Sequence, residues 1–454
     1  MQTLLLQDFG PVRHVELDVN DFLVFIGPQA SGKSTISKSV FFFKSLRDDL
    51  TLFALDRIDK GGHFRRQSRD NPTTALKKRI RSRFVGFWGT TKHLDRFRMR
   101  YSFTDSCWVE LTLQEGYVKV EFSQAFHTSL NEMFDVAGKF AQRWPASRAS
   151  FLSYQDLSAV EVGRREFLSK FSHLGSELFK DDRTPIFIPA ARSLLSTLSD
   201  QLQRLVFGGI SRETTEETTE IDPYVLDLPL KMFVDRIARL KPLFEQSMDQ
   251  MIEDRKKLTS AKIDFPSVYF AKALIEQILK ATYRYEQHSE KLFISRPDKY
   301  VKLSFASSGQ QEAIWILLQM FLVVLNNLRA FIVIEEPEAH LYPSAQRDIT
   351  ELITSTFNSG GNQVLITTHS PYILSSLNNL LYAHKLARRD RRTDIPINAR
   401  VLLDPACVGA YYVEKGAIEN IIDPELDLIR VERIDEASRE INATFDQLAR
   451  LDES

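Results

Sequence analysis

Residues Gly27-Pro28-Gln29-Ala30-Ser31-Gly32-Lys33-Ser34-Thr35 carry the spacing G-x-x-x-x-G-K-[ST], directly after the apolar run Phe22–Ile26 and before a helical pattern. Consecutive backbone N–H groups in such a loop, with the positive end of the following helix, surround phosphate oxygens. Lys33 is then the cation for the β and γ phosphates, and Ser34 supplies a hydroxyl to Mg²⁺. Far downstream, the apolar run Phe331-Ile332-Val333-Ile334 ends in Glu335-Glu336. Two adjacent carboxylates at the end of a buried strand are costly unless a metal, water or a base role compensates. Glu335 suits the Mg²⁺ site, directly or through water, and Glu336 suits orienting and activating an attacking water. A third apolar run, Val364–Thr368, ends at His369, whose short side chain reaches from a strand end to a γ-phosphate or its water.

The elements that must position these residues are legible in outline. Residues 3–9 and 13–19 flank Gly10-Pro11 and predict an antiparallel pair; 36–55 predict a helix with Ile36, Val40, Phe43 and Leu46 near one face. Strands are expected at 97–103, 108–113, 118–122 and 186–188, and helices over most of 124–182. Apolar spacing over 231–262 and 267–290 predicts helices forming a projecting hairpin or an arm folded back on the core; 211–222, SRETTEETTEID, is expected as an exposed loop. The run 314–334 is interrupted by Gln319, Asn326, Asn327 and Arg329, so it reads as a buried helix feeding a buried strand and not as a membrane span. The organisation expected is 1–125 and 301–375 as two parts of one head, 126–300 as a mainly helical insertion, and 376–454 as a tail subdomain.

Composition sets the outer bounds. With 43% hydrophobic and 26% charged residues the chain is expected to bury a core and not to be disordered throughout. A net formal charge of -1 gives no general reason to expect nucleic acid as a partner. Between Phe64 and Arg100, however, twelve Lys or Arg face two acids, Asp70 and Asp95, and this tract is where DNA would bind if it binds. Cys107 and Cys407 lie outside any metal-ligand spacing, and the N-terminus lacks the pattern of a secretory signal, so a cytoplasmic protein with reduced thiols and no membrane partner is expected.

The order of phosphate loop, Ala306-Ser307-Ser308-Gly309-Gln310, Ile334-Glu335-Glu336-Pro337 and Thr367-Thr368-His369-Ser370 resembles the ABC-type ATPases, above all the branch holding SMC-like, RecF-like and overcoming-lysogenization-defect (OLD)-like AAA-family proteins. That resemblance implies an α/β fold, a P-loop ATPase head with an inserted helical arm, using ATP and Mg²⁺. It makes Glu336 the catalytic glutamate, His369 the switch histidine, and Glu335 the metal-side acid where Asp is commoner. Ser307, Gly309 and Gln310 become residues that act on the nucleotide held by the opposite protomer, in a homodimer or larger homo-oligomer with ATP between its heads. Glu338-Ala339-His340-Leu341 matches the dimer-facing loop. No unambiguous glutamine loop is present, Gln155 and Gln124 being the nearest candidates.

Phe187-Ile188-Pro189-Ala190-Ala191-Arg192 further resembles a strand-to-loop segment of the OLD-like group, whose relatives belong to anti-phage or toxin-antitoxin modules. The function this implies is an ATPase subunit or sensor that controls a separately encoded nuclease or toxin effector and answers a phage protein. A DNA-repair clamp and a nucleotide-gated structural oligomer with negligible turnover are the alternatives. Asp423, Glu425 and Asp427 lie in a polar stretch without a buried strand to hold metals, so any nuclease activity is expected in a partner. Lys33→Ala should lower nucleotide affinity, since it removes the loop's only cation; titration with a labelled ATP analogue measures this, and unchanged affinity would contradict the assignment.

Overall fold

The structure is a computed structural model that describes residues 2–61, 64, 71–92, 94–143, 154–190, 192, 227–258, 263–294, 299–390, 394–430 and 442–445. Its centre is a six-stranded sheet of β7 (Thr184–Ile188), β11 (Ala330–Glu335), β12 (Gln363–Thr368), β3 (Phe22–Ile26), β13 (Val408–Glu414) and β14 (Ala417–Asn420), lying in the order β14-β13-β3-β12-β11-β7. All neighbours run parallel except the terminal β13–β14 pair. The continuous apolar runs read from the sequence are therefore interior strands covered on both faces, as parallel sheets require.

Alternation along these strands divides the interior into two cores. Phe22, Val24, Ile332, Ile334, Val364 and Ile366 face one, which is closed by α6 (Leu228–Leu240), α7 (Met248–Leu258), α8 (Phe265–Leu279), α9 (Ser308–Leu325), α10 (Pro343–Asn358) and α11 (Pro371–Asp390). Leu23, Phe25, Phe331, Val333 and Leu365 face the other. That second core holds α1 (Lys33–Lys44), α2 (Leu46–Asp59), α3 (Pro72–Trp88), α4 (Gln124–Arg143) and α5 (Tyr154–Phe179). It also packs against an antiparallel sheet ordered β2-β1-β4-β5-β6, from β1 (Thr3–Phe9), β2 (Val12–Asp18), β4 (Arg98–Thr104), β5 (Cys107–Gln114) and β6 (Tyr117–Phe122). Much of the large Phe content lies here: Phe41, Phe42 and Phe43 of α1 are all buried, with Phe42 5.2 Å edge-on to Phe87 and Phe43 stacked 5.5 Å from Tyr101. This is an α/β fold with a mostly parallel central sheet covered on both faces, and the glycine-rich loop leaves β3 into α1.

Two expectations change and one choice between alternatives is made. The helical pattern over 267–290 stops at Leu279, because Lys280 takes a left-handed conformation (φ 50°) and caps α8. The chain then forms β8 (Thr282–Glu286) and β9 (Ser289–Phe293), joined through Gln287 and His288, both at positive φ; β10 (Tyr300–Lys302) completes a three-stranded sheet. Second, the segment from 231 does not project: Phe233, Ile237, Phe244 and Met248 are buried in the first core, as in the folded-back alternative. Third, 376–454 is not a separate tail, since α11 spans the expected boundary and β13 pairs with β3 in the central sheet. Helix α9 is apolar and long enough to cross a membrane, but 78% of it is buried inside the protein, consistent with the core-helix reading. The loop expected at 211–222, and Arg65, Arg66 and Arg69 of the basic tract, lie outside the described residues.

A buried ion pair ties the second core to the start of β7. Lys44, at the end of α1, pairs with Asp181 and donates at 3.0 Å to Gln2, which also accepts from the Tyr101 hydroxyl at 2.7 Å. Asp181→Ala leaves the Lys44 ammonium buried without its carboxylate and should cost about 3–5 kcal/mol. Urea unfolding measures this, and Lys44→Met/Asp181→Leu should recover most of the loss.

Candidate functional site

The functional side chains converge because β3, β11 and β12 are parallel and end along one edge. Register places Glu335 opposite Thr367, and Thr368 opposite Ile26, the residue before the phosphate loop. The loop needs glycine at its first position: a Cβ on Gly27 would lie 2.1 Å from the Val413 carbonyl oxygen of β13. The C-terminal strand thus forms a wall of the loop. Pro28, Gln29, Ala30 and Ser34 are exposed on its rim, Ala30 at φ 57°, whereas Gly27, Ser31, Gly32 and Lys33 are buried and Thr35 half-buried. Lys33 Nζ donates to the carbonyls of Gly27 (2.9 Å) and Pro28 (2.7 Å). Burial pushes its pKa down, opposed by the charges of Glu336 and Glu338. Ser31 Oγ is buried without a hydrogen-bond partner, which fits a loop that receives an oxyanion.

Glu335 is buried, and burial pushes its pKa up; Lys38, the Ser34 hydroxyl and the Ala190 backbone oppose that shift, while Glu336 adds to it. Ser37 Oγ donates to Glu335 Oε1 at 3.4 Å. A hydroxyl beside a buried carboxylate is a donor set that fits Mg²⁺, which takes few protein ligands and completes its shell with water and phosphate. Glu336 adopts φ 45° and donates its N–H to the Thr367 carbonyl at 2.8 Å. Its Oε1 lies 3.2 Å from His369 Nε2. The hydrogen bond with His369 holds the Glu336 carboxyl below its ordinary range, against burial and with help from the charges of His369, Lys33 and Arg192. Glu336 is therefore a carboxylate at neutral pH.

Ser307 caps α9 in a capping box: its hydroxyl accepts the Gln310 N–H at 3.3 Å, and Gln310 Oε1 accepts the Ser307 N–H at 3.1 Å. Gln310 Nε2 donates to the Leu279 carbonyl at 2.7 Å, so its amide is committed within the chain. A Cβ on Gly309 would sit 2.7 Å from the His340 carbonyl oxygen, so the helix start abuts the 338–341 loop. Among the described residues, no hydrogen bond or ion pair joins Ser307, Gly309 or Gln310 to residues 27–35. The structure thus brings Lys33, Ser34, Glu335, Glu336 and His369 together and leaves the α9 terminus as a second surface. Phe305 and Tyr342, 79% and 78% exposed, flank that surface.

Two further residues build the site and stand out in the sequence only as parts of longer phrases. The Glu338 side chain, expected on a dimer-facing loop, turns inward: Oε1 accepts from the Thr368 hydroxyl at 2.7 Å and the His369 N–H at 2.6 Å. Burial pushes its pKa up, opposed by those two donors. Arg192 is completely buried and donates to the carbonyls of Pro189, Glu335, Glu336 and Glu312. No local pattern marks either residue; only the meeting of strand ends gives them partners. Gln124 opens α4 and Gln155 lies in the first turn of α5, two helices that pack on each other and on α2.

Much of the described part of the basic tract is built into the structure. Arg79 and Arg83 pair with Asp49, Arg81 donates to the Val118 carbonyl and lies over Tyr117, and Lys77 lies over Phe122. Arg98 and Arg100 converge on Glu110 at 2.8 and 2.6 Å. In the tail, Asp423 accepts the N–H groups of Glu425 and Leu426, and Asp427 pairs with Lys385 at 3.2 Å.

Residues 176–374 match the model of the AAA ATPase domain family, a stretch of fewer than half the residues that includes 307–310, Glu335, Glu336 and His369 but not the phosphate loop. No curated protein matches the sequence. Among solved structures, the chain is similar to an SMC head bound to the C-winged helix domain of ScpA, at 11% identity over 92% of this chain and 96% of that one, TM-score 0.40. It is also similar to the SMC head domain from Thermotoga maritima, at 12% identity over 92% and 97%, TM-score 0.33.

Glu338→Ala should destabilise the protein by about 1–3 kcal/mol for each buried donor left without an acceptor, whereas Glu338→Gln, which keeps a carbonyl oxygen there, should cost much less. Parallel urea titrations decide; equal losses would mean that the two hydrogen bonds do not hold the end of β12.

Proposed function

We propose that the chain is an ATP-hydrolysing switch whose two nucleotide sites are completed by a second copy. The observation that carries this reading is the Glu336 carboxylate, 3.2 Å from His369 at the strand edge from which the phosphate loop leaves, with the charge of Lys33 near enough to help lower its pKa. Loop N–H groups and Lys33 bind the β and γ phosphates. Glu336 orients a water at the γ-phosphorus and takes its proton as the new P–O bond forms and the bond to the ADP oxygen breaks. His369 holds the Glu336 carboxylate in place through their 3.2 Å contact. Ser34 and Glu335 would hold Mg²⁺, which supplies positive charge to the phosphate oxygens.

The second copy enters because the α9 terminus presents the N–H groups of Ser308 and Gly309, which its capping box does not use, and a helix dipole suited to an anion, yet makes no bond to the phosphate loop of its own chain. A symmetric pair gives each nucleotide Lys33 from one copy and Ser307 and Gly309 from the other. The exposed aromatics Phe305 and Tyr342 beside that terminus suit a protein surface covered on assembly. We further assign the switch to a bacterial anti-phage complex, where it controls a separate nuclease or toxin effector in response to a phage protein; the resemblance of residues 187–192 supports this. A DNA clamp is the alternative, but the described arginines of the basic tract that pair with Asp49 and Glu110 are already spent.

Glu336→Gln should bind ATP with near wild-type affinity and lose about 10²–10⁴-fold in turnover, because the amide keeps the shape but takes no proton. Phosphate release near the wild-type rate would remove Glu336 as the base. Ser307→Arg and Lys33→Ala proteins, each inactive alone, should recover activity when mixed, since a mixed pair contains one intact site. Mixed pairs confirmed by native mass spectrometry that stay inactive, with activity per chain constant down to monomeric concentrations, would overturn the two-copy mechanism.

A further inference from the structure

Arg192 occupies the point where three elements meet. Its Nη1 donates to the carbonyls of Pro189, just beyond β7, at 2.8 Å and of Glu335, at the end of β11, at 2.5 Å. Nη2 donates to the Glu336 carbonyl at 2.9 Å. Nε donates to the Glu312 carbonyl in α9 at 3.1 Å and lies 3.4 Å from the Glu312 carboxylate. Both side chains are almost wholly removed from water, 0% and 4% exposed. A buried guanidinium is tolerated only when paired and hydrogen-bonded, and here its charge is matched by Glu312 while its planar fork spans acceptors on separate elements.

The consequence concerns the geometry of Glu336. Its left-handed backbone is gripped on both sides, the N–H by Thr367 and the C=O by Arg192, so the point from which its side chain reaches His369 is set in part by Arg192. Arg192 in turn is fixed to Glu312 in the first turns of α9, next to the exposed Ser307-Ser308 terminus of the same helix end. Gly309 against the His340 carbonyl adds a second contact between the same helix start and the loop that follows Glu336. We infer that Arg192 is a positioning residue that transmits the state of the α9 terminus to the Glu336 carboxylate, so that an anion or a second copy seated on that terminus sets the aim of the base. This regulation rests on the hydrolytic reading above.

The test uses the full chain and measures ATP turnover, labelled-nucleotide affinity and thermal unfolding for Glu312→Gln and Arg192→Lys, each alone and combined with Glu336→Gln. Glu312→Gln keeps the shape and the backbone acceptor while removing the charge that anchors Arg192 to α9. Arg192→Lys keeps the charge but cannot span the three elements. The expected result is nucleotide affinity within about twofold of wild type with kcat reduced about ten- to a hundredfold, the scale of a small misplacement of a reacting group. In the Glu336→Gln background neither substitution should lower the residual turnover further, because the group through which Arg192 acts is already gone. A merely structural role would instead lower turnover by the same factor in both backgrounds, and that result overturns the inference, as does a kcat within twofold of wild type in folded variants. If Arg192→Lys fails to fold, the near-isosteric Glu312→Gln decides alone. Absence of turnover in the wild type overturns the hydrolytic reading and the inference with it, whereas wild-type turnover with unaffected variants overturns the inference only.

Discussion

A buried guanidinium sets the geometry on which the site depends. Arg192 has no exposed surface, so every N–H it carries must find an acceptor inside the protein, and the acceptors it uses belong to the segment after β7, the end of β11 and the first turns of α9. Each of those elements also has a separate reason for its place: β7 and β11 pair in the central sheet, and α9 fills the first core. The arginine converts these independent packings into one frame. Removing it would leave four backbone carbonyls and a buried carboxylate to be satisfied at once, which is the costly direction of change for a buried charge pair.

Charge is concentrated at this edge more than the balanced total suggests. Glu335, Glu336 and Glu338 lie within four residues, and the charge of Glu336 raises the cost of ionising the other two. Their surroundings separate their states. Glu336 is half-exposed and held ionised by His369 and nearby cations, while Glu335 and Glu338 are pushed toward the neutral form by burial. Three carboxyl groups in one turn thus acquire different surroundings from burial and hydrogen bonding: one is held ionised beside His369, one lies beside two serine hydroxyls, and one braces Thr368 and His369.

The two faces of the central sheet contribute differently. On one, the phenylalanines of α1 lock the helix that follows the phosphate loop against the antiparallel sheet, so the loop grows from a rigid base. On the other, α9 runs through the core as an almost wholly buried helix and presents only its N-terminus to solvent. A helix so constrained shifts as a unit or not at all, which makes its exposed end a lever on whatever is bonded to its first turns.

The sequence alone determined the phosphate loop, the strands at 22–26, 331–334 and 364–368, and the residues at their ends, because an apolar run ending in glycine or a charged group has a local physical meaning. It also marked Ser307 and Gly309 as the start of a buried helix, although the role of that start depends on a second surface. It did not reveal the hairpin at 282–293, whose turn uses Gln287 and His288 at positive φ where glycine or asparagine would have announced it. Nor did it place β13 beside β3, a pairing between strands nearly four hundred residues apart that puts Val413 against Gly27. The basic tract looked like a surface from its charge alone, and only folding showed which arginines meet Asp49 and Glu110. Arg192 and Glu338 belong to the same class. Their chemistry is set by backbone carbonyls, hydroxyls and N–H groups that arrive from remote segments, and a buried charge has no recognisable role until tertiary structure decides which partners pay for its burial.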